Sequence, residues 1–140
     1  MSKRLDKGIE LLREVSGSGL AAEKGCQVVY NARMFLRKGD EVTHDARSIA
    51  AYGDHLTTRV VDGVELIDHT TTLGKRQPIA AVEKSLLGMQ AGAHREVQAS
   101  AHLCYGERGI EGLIPPNAML TIQLWVRDVQ PPADLEGPCL

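Results

Sequence analysis

Alternating apolar and polar positions mark several strands along this chain. The clearest run follows Met119, where Leu120, Ile122, Leu124 and Val126 lie at every second position. A period of two is typical of a strand with one buried face. Similar patterns predict strands over 9–15, 26–36, 56–61, 64–73 and 95–100. Asp62-Gly63, between two of these runs, indicates a hairpin turn.

One segment has helical spacing instead. It begins at Pro78 and places Ile79, Val82, Leu86 and Met89 on one stripe. Proline is favoured in a first helical turn, and glycine, here Gly88, often follows a last one. The polar segment 43–58 is irregular and contains at most a short helix near Arg47 to Ala51. Antiparallel strands with one half-buried helix predict an α+β domain in which the sheet curls over the helix.

A long glycine- and proline-rich loop, residues 101–118, precedes the last strand. A loop of this length is uncommon in a compact domain unless it has a function. Its glycines allow tight turns and Pro115-Pro116 stiffen its exit. We expect a flap that holds Tyr105, Leu113 and Ile114 over a cavity, although an ordered surface loop fits the pattern as well.

Size and charge narrow the function classes. The 140 residues fit one domain, with loose segments expected at 1–7 and in the proline-rich tail 131–140. A net charge of −2, from 16 basic and 18 acidic residues, argues against nucleic acid as a partner. No apolar run reaches membrane-span length and no signal peptide is visible, so no membrane partner is expected. Three cysteines without a CxxC pair predict reduced thiols and a cytoplasmic location.

Few residues suggest bond-breaking chemistry. Nothing resembles a nucleophilic triad, and Cys104 between Leu103 and Tyr105 is predicted to be a packed thiol. The adjacent pairs His44-Asp45, Asp54-His55 and Asp68-His69 lack the spacing of a metal site. We therefore expect no metal and no cofactor. What remains is a cavity to which these residues could contribute: Gln77, Ile79, Val82, Tyr30, Tyr105, Leu113 and Ile122.

Three segments together resemble one known family, the FKBP-type peptidyl-prolyl isomerases. They are Leu73 to Met89, Gly92 to Val97, and Tyr105-Gly106 followed by Ile114-Pro115-Pro116-Asn117-Ala118. Lys24-Gly25 before the strand that holds Tyr30 also fits. The resemblance covers about residues 8–130, is strongest over 73–126, and implies a five- or six-stranded antiparallel sheet around one short helix.

The resemblance also implies roles for single residues. A proline ring would enter a pocket between helix and sheet, walled by Tyr30 with Val82 as its floor. Ile79 would offer its backbone N–H to one substrate carbonyl and Tyr105 its hydroxyl to another. Leu113 and Ile122 would close the side, and Gln77 lies at the helix start.

This chain differs from the family at several of these positions. Val82 stands where the family usually has tryptophan, and Ile122 where it usually has phenylalanine. The family's Phe-Asp pair has two possible registers, Val42-Thr43 or Ile67-Asp68, and Asp68 is a candidate catalytic residue in the second. An insertion of some twenty residues, about 43–61, lies between them. We expect a wider and less aromatic pocket.

Three functions stay open on the sequence. The first is a prolyl isomerase of reduced activity with chaperone-like peptide binding, acting on proline-containing peptides or unfolded proteins. The second is a non-catalytic binding module that uses 43–61 as a contact surface. The third is a structural domain that docks through Trp125. The sequence does not decide the oligomeric state.

Overall fold

The protein is described here from a computed structural model that covers residues 3–43, 45–52, 56–76 and 78–132. Gln77 and the tail from 133 onward lie outside the described residues. Eight strands and two α-helices follow in the order β1 (Lys3–Asp6), β2 (Ile9–Val15), β3 (Gln27–Leu36), α1 (Asp45–Tyr52), β4 (Thr58–Val61), β5 (Val64–Ile67), β6 (His69–Thr72), α2 (Ala80–Leu86), β7 (His94–Ala99) and β8 (Leu120–Gln130).

Six of the strands form one antiparallel sheet. Its order is β1-β2-β7-β8-β3-β6, and the long strands β3 and β8 pair along their whole lengths at its centre. The predicted inner face of β8 is confirmed, because Leu120, Ile122, Leu124 and Val126 are at most 1% exposed. The α+β prediction, with a curved antiparallel sheet and a short helix against it, is therefore confirmed.

Helix α2 packs on the inner face of this sheet. Val82, Leu86 and Met89 are almost fully buried, as the spacing predicts, and Gly88 follows the helix with a positive φ. The helix starts two residues later than predicted, since Pro78 precedes the N-cap residue Ile79. Glu83 accepts backbone hydrogen bonds from Gly74 and Arg76 at 3.2 and 3.1 Å. These bonds tie the loop before the helix to its first turn.

The predicted run 64–73 divides into two strands with different partners. Val64–Ile67 pairs with β4 in a separate two-stranded hairpin around Asp62-Gly63, as the turn signal predicts. His69–Thr72 pairs with β3 at the edge of the main sheet. The single residue between them, Asp68, is where the chain changes sheets. The short helix near 47–51 is present as α1.

Within the segment 1–7, for which the sequence predicts a loose chain, the described residues 3–6 form a strand. Lys3–Asp6 forms β1 and pairs with β2, and the Asp6 carboxylate lies 3.0 Å from the Lys84 ammonium on α2. Pairing with β2 at the edge of the sheet satisfies the backbone hydrogen-bonding groups of β1, and the hydrophobic pattern of the sequence did not indicate this pairing. Among the described residues, no helix is long and apolar enough to cross a bilayer.

The loop 101–118 is tightly organised. It opens with a 3₁₀ helix, Ala101–Leu103, and Ile110 and Ile114 exchange backbone hydrogen bonds of 2.8 Å. Gly109 has a φ of 59°, and a Cβ there would lie 2.2 Å from the Ile114 carbonyl oxygen. Only glycine fits this position, so the loop has a defined shape that fixes Tyr105 just before it.

Candidate functional site

A cavity of about 350 Å³ opens between the start of α2, strands β3 and β6, and the loop at Tyr105. This volume lies within the range of small-molecule and peptide side-chain pockets. Its wall consists of Tyr30, Ala32, Met34, Thr43, Asp45, His69, Thr70, Thr71, Pro78, Ile79, Val82 and Tyr105.

One side of the cavity is apolar. Tyr30 and Ala32 point into it because alternate residues of β3 share the inner face of the sheet. Val82 comes from the buried stripe of α2 and is 1% exposed, while Ile79 is half-buried above it. Valine is smaller than an aromatic ring, and the wider pocket expected from it stays a prediction.

Two hydrogen-bond donors border the apolar side. The Ile79 backbone N–H and the Tyr105 hydroxyl have no protein partner among the residues that the structure describes. Ile79 is the N-cap residue of α2, with φ −61° and ψ 154°, so its N–H precedes the helical bonds. Donors without a protein partner at an apolar cavity are available to a ligand carbonyl.

Both cavity tyrosines stay protonated over a wide pH range. Burial raises the pKa of Tyr30 to about 12, with further contributions from Tyr105 and the negative charge of Asp45. Burial also raises the pKa of Tyr105, and Cys104 adds to the effect. Each phenol is therefore a neutral hydrogen-bond donor at physiological pH.

The opposite side of the cavity is polar. Thr43 bonds the chain of β3, because its hydroxyl accepts the Met34 N–H at 2.8 Å. Asp45 accepts the Ile67 N–H at 2.8 Å and lies 3.7 Å from His69 Nε2. The His69 ring in turn packs on Tyr30 with ring centres 5.4 Å apart.

Four of the candidate site residues meet at this cavity, namely Tyr30, Ile79, Val82 and Tyr105. Three others do not line it. Ile122 is 0% exposed in the core, Leu113 packs against that core, and Asp68 lies elsewhere. The Gln77 prediction falls outside the described residues.

Asp68 is the clearest departure from the sequence-based expectation. Its carboxylate accepts the Asn31 Nδ2 hydrogen at 2.7 Å and pairs with Arg127 at 2.5 Å. Asn31 follows Tyr30 on β3 and therefore points to the opposite face of the sheet. Of the two registers left open, Val42-Thr43 is the one beside the cavity, with Val42 in the core and Thr43 in the wall.

Sequence reasoning missed the polar wall residues Asp45 and His69 as a pair. Each was noticed only with its adjacent neighbour, as possible metal ligands. They are 24 positions apart, and the helix and hairpin between them bring them together. No local spacing reveals that contact. The two registers left open for the family's Phe-Asp pair, at 42–43 and 67–68, lie close to these two residues in the sequence.

Comparisons with known proteins agree with this geometry. A sequence model described as FKBP-type peptidyl-prolyl cis-trans isomerase matches residues 21–125. FK506-binding protein 2B of Rhizopus delemar is 40% identical over 60 residues, which are 43% of this chain and 29% of that protein. Peptidyl-prolyl cis-trans isomerase FPR2 of Saccharomyces cerevisiae is 38% identical over 58 residues, 41% of this chain and 43% of that protein.

A solved structure shares the fold. The crystal structure of FkpA from Escherichia coli superposes with a TM-score of 0.68 at 23% identity, covering 93% of this chain and 52% of that one. The matched segments cover less than half of the length of each of the two curated relatives, the Rhizopus and Saccharomyces proteins. The family model nevertheless covers well over half of this chain, sheet and helix included. The chain belongs to the FKBP-type peptidyl-prolyl cis-trans isomerase family.

Proposed function

We propose that this protein is a peptidyl-prolyl cis-trans isomerase that binds an X–Pro segment in the cavity between α2 and the sheet. One observation carries the proposal. The Ile79 N–H and the Tyr105 hydroxyl, both without a protein partner among the described residues, border the apolar side of one cavity. Family membership supports the same reaction.

The reaction needs no nucleophile, because only rotation about the amide bond is required. That rotation costs about 18–20 kcal/mol and takes tens to hundreds of seconds without a catalyst at an X–Pro bond. The planar amide is stabilised by charge separation between its oxygen and nitrogen. The twisted transition state loses this resonance, and an apolar environment therefore disfavours the planar form relative to the twisted one.

The cavity residues would divide this work. Tyr30, Val82 and Ile79 would hold the proline ring away from water. Tyr105 would donate its hydroxyl to the carbonyl bordering the proline, and the Ile79 N–H would hold a neighbouring carbonyl. Contacts that tighten as the amide twists raise the rate, with about 1.4 kcal/mol for each factor of ten.

A direct test is two-dimensional exchange NMR on a short Leu-Pro peptide with a substoichiometric amount of the protein. We expect cis and trans resonances that exchange much faster than in the peptide alone. Peptide resonances that shift on titration without faster exchange would instead identify a binding module.

The binding module is the second candidate, and the insertion favours it. Within the insertion, residues 45–52 form helix α1 and residues 58–61 form β4, the first strand of the hairpin with β5, which adds surface for a protein partner. A chaperone-like role would use the same surface with an unfolded chain. Suppression of aggregation by a variant that no longer accelerates exchange would separate this role from catalysis.

A cytoplasmic location remains part of the proposal. Its support is chemical, since Cys26 and Cys104 are both free thiols and Cys26 is fully buried. Mass spectrometry after thiol labelling of the native source would show whether the cysteines stay reduced. The third function, docking through Trp125, has less support because this ring is half-buried and stacks on His94 at 4.6 Å.

A further inference from the structure

The cavity has a charge imbalance. Among its described wall residues, Asp45 is the one carboxylate, and neither lysine nor arginine is present. His69 is the one basic side chain among the described residues of this wall. Asp45 is 6% exposed, so its charge lies beside apolar surface with little water around it.

The hydrogen bonds of Asp45 leave one oxygen without a donor in the described protein. Its Oδ2 accepts the Ile67 N–H at 2.8 Å. Its Oδ1 lies 3.7 Å from His69 Nε2, which is beyond hydrogen-bond distance. The His69 side chain is 40% exposed and turns its ring toward Tyr30.

A buried carboxylate is costly unless a cation or further donors accompany it. In the described part of the chain, Asp45 has one full hydrogen bond, and its ion-pair partner, His69 at 3.7 Å, is a cation only when the imidazole is protonated. A cationic ligand would supply the missing interaction, and charge-assisted bonds are among the strongest that a site can form. The Asp45 charge also acts electrostatically on Tyr30 across the cavity and contributes to the raised pKa of that phenol.

We propose that the cavity selects X–Pro segments with a lysine or arginine next to the proline, whose cationic group pairs with Asp45. The inference rests on the proposed function, because it places the proline ring against Val82 and Tyr30 in the same cavity. A basic side chain suits this position, since its methylene stem covers apolar surface while its end reaches a charge. Asp45 is thus a specificity-determining residue.

The test compares peptides that differ only in charge. Lysine, norleucine or glutamate is placed before the proline in one set and after it in another, and kcat/KM for exchange is measured by NMR. We expect lysine to exceed norleucine by about tenfold in one set, as a charge-assisted hydrogen bond would produce. Glutamate should be the poorest, and salt should reduce the difference.

Two variants make the comparison specific. Asp45→Asn keeps an oxygen for the Ile67 N–H and removes the charge, so the lysine-to-norleucine ratio should fall close to one. The ratio is measured within each variant, so a change in overall activity or folding does not affect it. Asp62→Asn is the matched control, because Asp62 is an exposed turn residue with a φ of 51° that asparagine also adopts. It should retain the preference.

Several results would overturn the inference. Equal rates for lysine and norleucine in both sets would do so. A preference that appears only in His69→Gln would also do so, because His69 would then already neutralise Asp45. These outcomes differ from failure of the proposed function, in which the norleucine peptides themselves would show no faster exchange.

Discussion

Tyr105 combines an apolar ring with a hydroxyl that has no partner in the described protein. The 3₁₀ helix before it and the Gly106 N–H bond to the Ala101 carbonyl hold its backbone in place. Replacement by phenylalanine therefore removes one hydrogen-bond donor and little packing. We expect Tyr105→Phe to lower kcat/KM for Leu-Pro exchange by about tenfold, the value of one such bond.

Stability separates this effect from misfolding. Tyr105 is only partly buried, so the urea midpoint of Tyr105→Phe should stay close to that of the unchanged protein. An unchanged exchange rate would show that the hydroxyl does not contact the substrate.

For single residues, the sequence indicated which side chains line the cavity better than it indicated their tertiary contacts. Tyr30, Ile79, Val82 and Tyr105 could be placed near one another because each belongs to a strand, helix or loop with a recognisable pattern. Asp68 was misplaced because it lies where β5 ends and β6 begins, and that break depends on contacts with Asn31 and Arg127. Such tertiary contacts leave no periodic signal.

Among the elements, helix α2 is held at its end by a buried arginine. Arg95 on β7 donates to the carbonyls of Ser85 and Leu87, both at 2.8 Å, and pairs with Glu14 at 2.6 Å. We expect Arg95→Met to lower the free energy of unfolding by about 2–4 kcal/mol, because two helix carbonyls lose their donor. Urea denaturation followed by circular dichroism measures this loss.

Lys84→Met provides the matched control for Arg95. It removes the exposed ion pair with Asp6, whose side chains are both 43% exposed. Such solvent-exposed pairs contribute little to stability, so this variant should be nearly as stable as the unchanged protein. Equal losses in the two variants would contradict the role given to Arg95.

The hairpin of β4 and β5 is anchored to the outer face of β3 through Asn31. This residue is 0% exposed, donates to the Ile67 carbonyl at 2.9 Å and accepts a hydrogen bond from Arg59. We expect Asn31→Ala to cost about 2–3 kcal/mol of unfolding free energy, since buried groups lose their partners. Limited proteolysis should then cut first within 56–67.

Thr58→Ala tests whether that effect is specific. Its hydroxyl bonds Glu65 at 2.6 Å on the exposed side of the same hairpin, so little stability should be lost. Proteolysis that is unchanged in Asn31→Ala would show that the hairpin is held by other contacts.

The sequence largely predicted which segments form strands and helices, and it predicted less well which strands pair with each other. The alternation in β8 and the stripe in α2 each depend on one buried face, which sequence records directly. The pairing of β1 and the change of sheet at Asp68 depend on where neighbouring strands run. The hairpin turn at Asp62-Gly63 was recognised because those residue types favour positive φ, and their φ angles are 51° and 82°.

For the whole molecule, buried phenol and thiol groups that are neutral at physiological pH make the free energy of unfolding fall when the pH becomes alkaline. Burial raises the pKa of Tyr30 to about 12 and that of Cys104 to about 11. Both groups bind protons more tightly in the folded state than in the unfolded chain. Their contribution to stability is therefore complete at pH values below their pKa in the unfolded chain. It is lost as pH rises through the folded values.

We therefore expect the free energy of unfolding to fall from about pH 9 to about pH 12, in line with these two shifts. Urea denaturation at successive pH values measures the slope. Tyr30→Phe should flatten the part above pH 10, and Cys104→Ala the part below it. A slope that neither substitution changes would assign the loss to other groups.

The central claim is that isomerisation takes place in the cavity bordered by Ile79 and Tyr105. The most direct measurement is NMR relaxation of the ¹⁵N-labelled protein with excess Leu-Pro peptide, recorded together with peptide exchange. We predict that the amides of Ile79, Val82 and Tyr105 exchange between two environments at the catalysed rate seen in the peptide. Fast peptide exchange with these amides unaffected would contradict the account, and so would exchange at the uncatalysed rate.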